Sequence, residues 1–240
     1  MNRDCYPTIA GDDLGWLTEE QMVEVDRIMI DDLRIELIQM MENAGRSLAR
    51  LIVDLAAPTT VIVLAGSGGN GGGGLVAARH LANAGVDVTV GLTRQAAELT
   101  GVPGHQLDIL HRMGVTISSD NEPDLALGYD VAVDALIGYS LRGAPRGRTA
   151  AMIEQIPRTA PTVVSLDTPS GLNVTTGEAS GIAVLADATM TLALPKVGLR
   201  TAAEVGDLYL ADISVPPFVM RTLGAQAPIF TESAILRISG

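Results

Sequence analysis

Cysteine, lysine and aromatic side chains are scarce in this chain, and each scarcity closes off a class of protein. Cys5 is the only cysteine, so no intramolecular disulfide framework exists and a reducing cytoplasm is the expected compartment. Its place in the polar opening segment MNRDCYPTIAGDD does not suit a catalytic thiol. Lysine and arginine total 16 against 28 aspartates and glutamates, a net charge of -12. Phosphate backbones and anionic bilayers demand clustered cations, so nucleic acid and membrane surfaces are excluded as partners. No apolar h-region opens the chain and no run is long enough to span a bilayer. A Cys/His zinc cluster and a Gly-x-Ser-x-Gly hydrolase elbow are both missing. His80, His105 and His111 lack metal-ligand spacing and are read as structural or surface residues. With aromatics at only 3% and hydrophobic residues at 47% of 240, aliphatic side chains must fill the core. The length fits one domain over 1–240 with a helical extension.

What is abundant is glycine, and it is concentrated. Seven of the nine residues 66–74 are glycine, between the apolar run TVIVLA and the alanine-rich LVAARHLANA. Glycine costs conformational entropy and packs nothing, so such a cluster implies close approach of a ligand to backbone. A strand–turn–helix context makes that ligand a phosphate or other polar group over amide N–H groups at a helix N-terminus. Gly66, Gly68 and Gly71 satisfy G-x-G-x-x-G. The acidic ribose ligand of the dinucleotide fingerprint is missing after the second strand, which ends Val90-Gly91-Leu92-Thr93-Arg94. No Gly-Lys-Ser/Thr follows, which excludes a P-loop.

Periodicity organises the rest. Residues 17–54 are helical in pattern, with Thr18 and Gln21 spaced as a capping box and a break near 31–34. Strands are expected over 60–65, 86–92, 115–118, 131–136, 162–166, 188–194 and 208–213. Helices are expected over 74–84, 103–113, 149–156 and 217–223. This alternation predicts an α/β fold with a mostly parallel sheet, helices on both faces and an N-terminal helical extension. Ligands on such sheets bind beyond the C-terminal strand ends. Asn70, Asp134, Tyr139, Ser140, Asp167, Ser170 and Lys196 all follow strands at that edge. Asp134 and Asp167 come directly from apolar strands. A carboxylate at that depth is paired, metal-bound or poised for proton transfer, with N-cap and Asx-turn roles as the structural alternatives. Lys196 is the lone lysine among arginines, which suggests a need for a compact ammonium.

The motifs, taken together and in order, resemble the YjeF N-terminal domain family, whose best-known members are NAD(P)HX epimerases. They are MENAG at 41–45, GSGGNGGGGLVAARHL at 66–81, VDALIGYSLRG at 133–143, DTPSGLNVTTG at 167–177, LPKVGL at 194–199 and ADISVPP at 211–217. The resemblance implies a three-layer Rossmann-like fold and a homodimer. It implies an enzyme that interconverts the R and S forms of hydrated NADH or NADPH, with a separate NAD(P)HX dehydratase as functional partner. Carried over by position, it places substrate binding on Gly69, Asn70, Gly71, Gly72 and Gly73, on Gly138, Tyr139, Ser140, Leu141, Arg142, Gly143 and Ala144, and on Asp167. Potassium ligands fall on Asn70, Asp134 and Ser170, an all-oxygen set suited to a hard cation. Asp167 takes the general acid/base role, with Lys196 beside it as a second catalytic candidate.

Two departures from the family pattern concern the turn. The usual GPGNNGGDG reads GSGGNGGGG here, so an asparagine has become Gly69 and an aspartate Gly73. Asn173 also replaces the aspartate of the family's SGLDADTG stretch. Other readings are a divergent member with another small-molecule substrate, or a non-catalytic dimerising scaffold such as that of enhancer-of-decapping proteins. The retained Asn70, Asp134, Asp167, Ser170 and Lys196 oppose the scaffold. An NADP-dependent oxidoreductase with Arg94 at a 2′-phosphate lacks a Tyr-x-x-x-Lys pair.

Overall fold

The computed structural model describes residues 5–118 and 128–240. Nine strands form one sheet. They are β1 (Thr8–Ala10), β2 (Thr60–Ala65), β3 (Asp87–Leu92), β4 (Thr116–Ile117), β5 (Val131–Ala135), β6 (Thr162–Leu166), β7 (Ala188–Leu192), β8 (Asp207–Ala211) and β9 (Ile235–Ser239). Their spatial order is β1-β9-β8-β7-β6-β5-β2-β3-β4. Every neighbouring pair is parallel except β8 with β9. This is the α/β, Rossmann-like arrangement expected, and the order in which the chain adds strands reverses between β2 and β5, which are themselves parallel. Crevices form at such a switch point.

The apolar strands are buried on both sides because helices cover both faces. Val61, Val63 and Ala65 face the larger core, while Ile62 and Leu64 face a smaller one completed by Met152, Ile153 and Ile156. That alternation is the period of two that a strand imposes. The smaller core sits under α5 (Gly147–Thr159). The larger one is covered by α2 (Leu37–Ala56), α3 (Gly69–Asn83) and α4 (Gly101–Arg112), with α1 (Glu19–Arg27) beside them. A short α6 (Pro217–Thr222) precedes β9.

The N-terminal extension forms as its pattern predicts. Thr18 Oγ1 accepts from the Gln21 N–H at 3.3 Å, and Gln21 Oε1 accepts from the Thr18 N–H at 3.0 Å. A π-helical turn over Ile28–Asp32 leads into the break before α2. The sequence reading differs at α3, which begins at Gly69 rather than at residue 74. Glycine's low helix propensity argues for a later start, yet tertiary contact overrides it. A Cβ on Gly71 would sit 1.9 Å from Gly66 O, and one on Gly74 would sit 2.4 Å from Ala135 Cβ. β1 and β9 had no counterpart among the expected strands. β1 is three residues long, and β9 joins the sheet edge by pairing with both β1 and β8.

Candidate active site

The glycine cluster serves two purposes. Gly68 and Gly69 are open: a Cβ on Gly68 would meet nothing within 4 Å, and one on Gly69 would touch only the Leu37 methyls at 3.7 Å. Gly71, Gly72, Gly73 and Gly74 are buried and allow α3 to press on its neighbours. Gly73 O lies 2.5 Å from where a Gly45 Cβ would be, so the MENAG glycine of α2 exists to let the two helices close. Only the first part of the cluster exposes backbone to a ligand.

Asp134, at the end of β5, is fully buried. Its carboxylate accepts from Ser165 Oγ at 2.8 Å, Ser170 N–H at 2.8 Å, Ser170 Oγ at 2.5 Å and Leu136 N–H at 3.2 Å. Burial raises its pKa, and these four donors oppose that shift. Ser170 Oγ in turn accepts from the Ile137 N–H at 2.8 Å. The network ties the loop after β5 to the loop after β6, so both hold fixed positions.

Asp167 follows β6 in a γ-turn. Its φ is 67°, and the Thr168 N–H donates across it to Leu166 O at 2.8 Å. A side chain in this left-handed region is strained by about 1–3 kcal/mol, a feature that concentrates at functional sites. The Asp167 N–H donates to Met190 O at 2.7 Å. Oδ2 accepts from the Tyr139 N–H at 3.1 Å, and Oδ1 forms an ion pair with Lys196 Nζ. Lys196 is 0% exposed and Asp167 3%, so this is a buried pair. Nζ also donates to Leu192 O at 3.0 Å and Thr191 Oγ1 at 3.3 Å, which uses all three ammonium hydrogens.

A cavity of about 640 Å³ opens over this edge of the sheet. Among the residues carried over by position, Gly69, Asn70, Gly138, Tyr139, Ser140 and Asp167 line it. A Cβ on Gly138 would lie 3.3 Å from both Asn70 Cβ and Asp167 Oδ2, so those two groups flank one point on the wall. Gly71, Gly72 and Gly73 lie behind the wall in α3. Leu141, Arg142, Gly143 and Ala144 do not line it. Asp134, Ser170 and Lys196 are fully buried and do not line it either; Lys196 reaches the wall through its ion pair with Asp167.

The cavity also draws on residues that strand-end reasoning does not reach. Met22 and Asp26 come from α1, Leu37 and Met41 from α2, and Arg146 and Arg148 from the start of α5. Asp26 Oδ2 accepts from the Tyr139 hydroxyl at 2.6 Å. Burial raises the pKa of Asp26, against the lowering effects of Tyr139 and the Lys196 charge. Burial raises that of Tyr139 too. Helical position alone cannot distinguish Asp26 from the many surface acids of α1, so its sequence signal is weak.

Fold and site define a Rossmann-like, small-molecule-binding protein with a buried acid–base pair at the switch point. The chain belongs to the family described as YjeF-related protein N-terminus, whose model matches residues 37–198. It is 41% identical to the NAD(P)H-hydrate epimerase of Dehalogenimonas lykanthroporepellens, over 91% of this chain and 90% of that one. It is 40% identical to the NAD(P)H-hydrate epimerase of Truepera radiovictrix, over 85% of this chain and 91% of the relative. The bifunctional NAD(P)H-hydrate repair enzyme Nnr of Moorella thermoacetica is 36% identical over 86% of this chain, which spans 42% of that relative. Among solved structures, that of yeast ynu0 matches with a TM-score of 0.81 at 24% identity, covering 92% of this chain and 99% of that one. That match shows the fold alone. No helix among the described residues is long and apolar enough to cross a membrane.

Proposed function

We propose that this protein is an NAD(P)H-hydrate epimerase, interconverting the R and S forms of NADHX or NADPHX in cofactor repair. The observation that carries the reading is the buried Asp167–Lys196 pair at the edge of a nucleotide-sized cavity entered past an open glycine turn. The names of the relatives agree with it.

The hydrated nicotinamide bears its hydroxyl on the carbon beside the ring nitrogen. Protonation of that hydroxyl lets the nitrogen lone pair expel it as water, which gives a planar iminium open to water from either face. Asp167 exchanges a proton with the hydroxyl or the incoming water. Lys196 orients the Asp167 carboxylate through Oδ1 while the Tyr139 N–H fixes Oδ2. The amides of the open turn and the loop from Gly138 bind the remainder of the substrate. Leu37, Met22 and Met41 supply the apolar wall.

Potassium is the proposed cofactor. Among the described residues no group of three or more His, Cys, Asp or Glu side chains gathers to hold a metal, so a cation here draws on amide, hydroxyl and carboxylate oxygens in combination. Asn70 carries a buried amide Nδ2 with no hydrogen-bond partner, a donor that calls for an acceptor on substrate or water, whereas a cation would take the amide oxygen. Asn70, Asp134 and Ser170 would hold the ion, and its charge would organise the loops after β2, β5 and β6. An NAD(P)HX dehydratase as functional partner, a homodimeric state and a cytoplasmic setting belong to the same proposal. The test is conversion of (R)-NADPHX to the S form with potassium present. A rate above that in buffer, abolished by Asp167→Asn, is the expected result; equal rates with and without protein refute it.

A further inference from the structure

Inversion at the carbinol carbon requires proton transfer on two faces, because hydroxyl leaves from one face of the ring and water adds to the other. A carboxyl fixed at one wall serves one face. The cavity has a second carboxyl, Asp26, which is half-buried on α1. Tyr139 joins the two, since its backbone N–H donates to Asp167 Oδ2 at 3.1 Å and its hydroxyl donates to Asp26 Oδ2 at 2.6 Å. The two carboxyls therefore stand one tyrosine apart on the same cavity. The start of α1 is anchored to the Lys196 segment: Leu17 N–H donates to Pro195 O at 2.9 Å, and Val197 N–H donates to Leu17 O at 3.0 Å. Asp26 lies outside the stretch 37–198 that the family model matches.

We propose that Asp26 is the second proton-transfer group of this site, acting on the ring face opposite to that served by Asp167, with Tyr139 setting the separation and orientation. The proposal rests on the epimerase reading. In one direction the protonated Asp26 gives its proton to the hydroxyl, the C–O bond breaks with loss of water, and the nitrogen lone pair forms the iminium. Water then attacks the other face, the new C–O bond returns the electron pair to nitrogen, and the Asp167 carboxylate takes the released proton. The reverse direction uses the same groups in exchanged roles, and solvent at the open cavity resets them. No oxidant or further reactant is needed.

The two carboxyls have different partners. The charged groups facing Asp26 are Lys196, which favours its ionised form, and Asp167, which opposes it. Burial is the largest influence and favours the neutral acid. Asp167 is instead held as the partner of the Lys196 ammonium. Two carboxyls in contrasting surroundings divide into an acid and a base, as they do on either side of a sugar whose cationic centre is attacked by water.

The experiment measures kcat/KM for epimerisation against pH in both directions for the wild type, Asp26→Asn and Tyr139→Phe, with the epimers separated chromatographically. Asp26→Asn is expected to lose about 10²–10⁴-fold and one limb of the pH profile. Tyr139→Phe keeps the backbone N–H to Asp167 but removes a hydrogen bond that favours ionised Asp26, so the limb assigned to Asp26 moves to higher pH. Tyr139→Phe keeps the proposal testable if Asp26→Asn fails to fold. A wild-type pH profile in Tyr139→Phe, or an undiminished rate in folded Asp26→Asn, overturns this proposal while leaving the epimerase reading intact. A wild type with no epimerisation overturns both.

Discussion

Replacing Lys196 with methionine exposes how the site is held together. Methionine fills most of the lysine volume, so the change isolates the ammonium. Its loss leaves the Asp167 carboxylate, 3% exposed, with the Tyr139 N–H as its remaining donor, and it strips Leu192 O of the Nζ donor at 3.0 Å. Breaking a buried ion pair from one side costs about 3–5 kcal/mol. At about 2–4 °C per kcal/mol for a domain of this size, Tm falls by about 6–20 °C. Asp167→Asn tolerates the positive φ and strands the ammonium instead, at a cost of similar order. The double variant carries neither charge and keeps the Tyr139 donor satisfied through the amide oxygen; Leu192 O loses its donor, for about 1–3 kcal/mol, while the Thr191 hydroxyl, which accepts from Nζ at 3.3 Å, can rotate to donate instead. The double variant is therefore expected to be more stable than either single one. Urea unfolding of all four proteins measures the cycle. Additive single effects would refute the assignment of Lys196 as the ionic partner of Asp167.

The glycine cluster yields a contrasting pair. Gly71→Ala puts a methyl 1.9 Å from Gly66 O, backbone that cannot move aside, and is expected to cost at least about 3 kcal/mol. Gly69→Asn points into open space beside Leu37 and is expected to change stability by less than about 0.5 kcal/mol; thermal unfolding separates the two, and equal losses would sink the division of the cluster. Gly73→Asp would place its Cβ 2.9 Å from Leu166 Cδ2 and 3.4 Å from Met41 Sδ, so a carboxylate there meets apolar neighbours. Lower stability without gain in epimerisation is expected, and a faster enzyme would contradict it. Asp130 caps β2 by accepting from Thr59 N–H, Thr60 N–H and Thr59 Oγ1, which lowers its pKa to about 2. Its stabilising effect is present above the ordinary aspartate range and lost as pH falls through about 2; Asp130→Asn should flatten acid unfolding over that window, and an unchanged acid limb would refute the cap.

The sheet was legible because its strands are buried on both faces and read as near-continuous apolar runs, as VIVLA at 61–65 and VVSL at 163–166 do. The strand-end rule locates Asp134 and Asp167 from the sequence, because a charged residue directly after such a run has to be accounted for by the site. Among the features that escaped, three have plain physical reasons. The start of α3 at Gly69 runs against glycine's intrinsic preference, and only the tertiary clash distances explain it. β1 is too short to show alternation. Asp26 sits on a helix whose sequence, EEQMVEVDR, spreads acids on several faces, and its distinction comes from the Tyr139 hydroxyl more than a hundred residues away.

The two turn substitutions belong to different parts of the machine, which changes what their loss means. Gly69 borders the cavity, so the side chain missing there leaves ligand-accessible space. Gly73 is buried against Leu166 and Met41, and the chain has closed an apolar contact over that position. Among the described residues, the carboxylates that line the cavity are Asp167 and Asp26, each bound to one end of Tyr139. With Gly73 closed off behind apolar side chains, an acid restored there would not reach the cavity that this bridged pair faces.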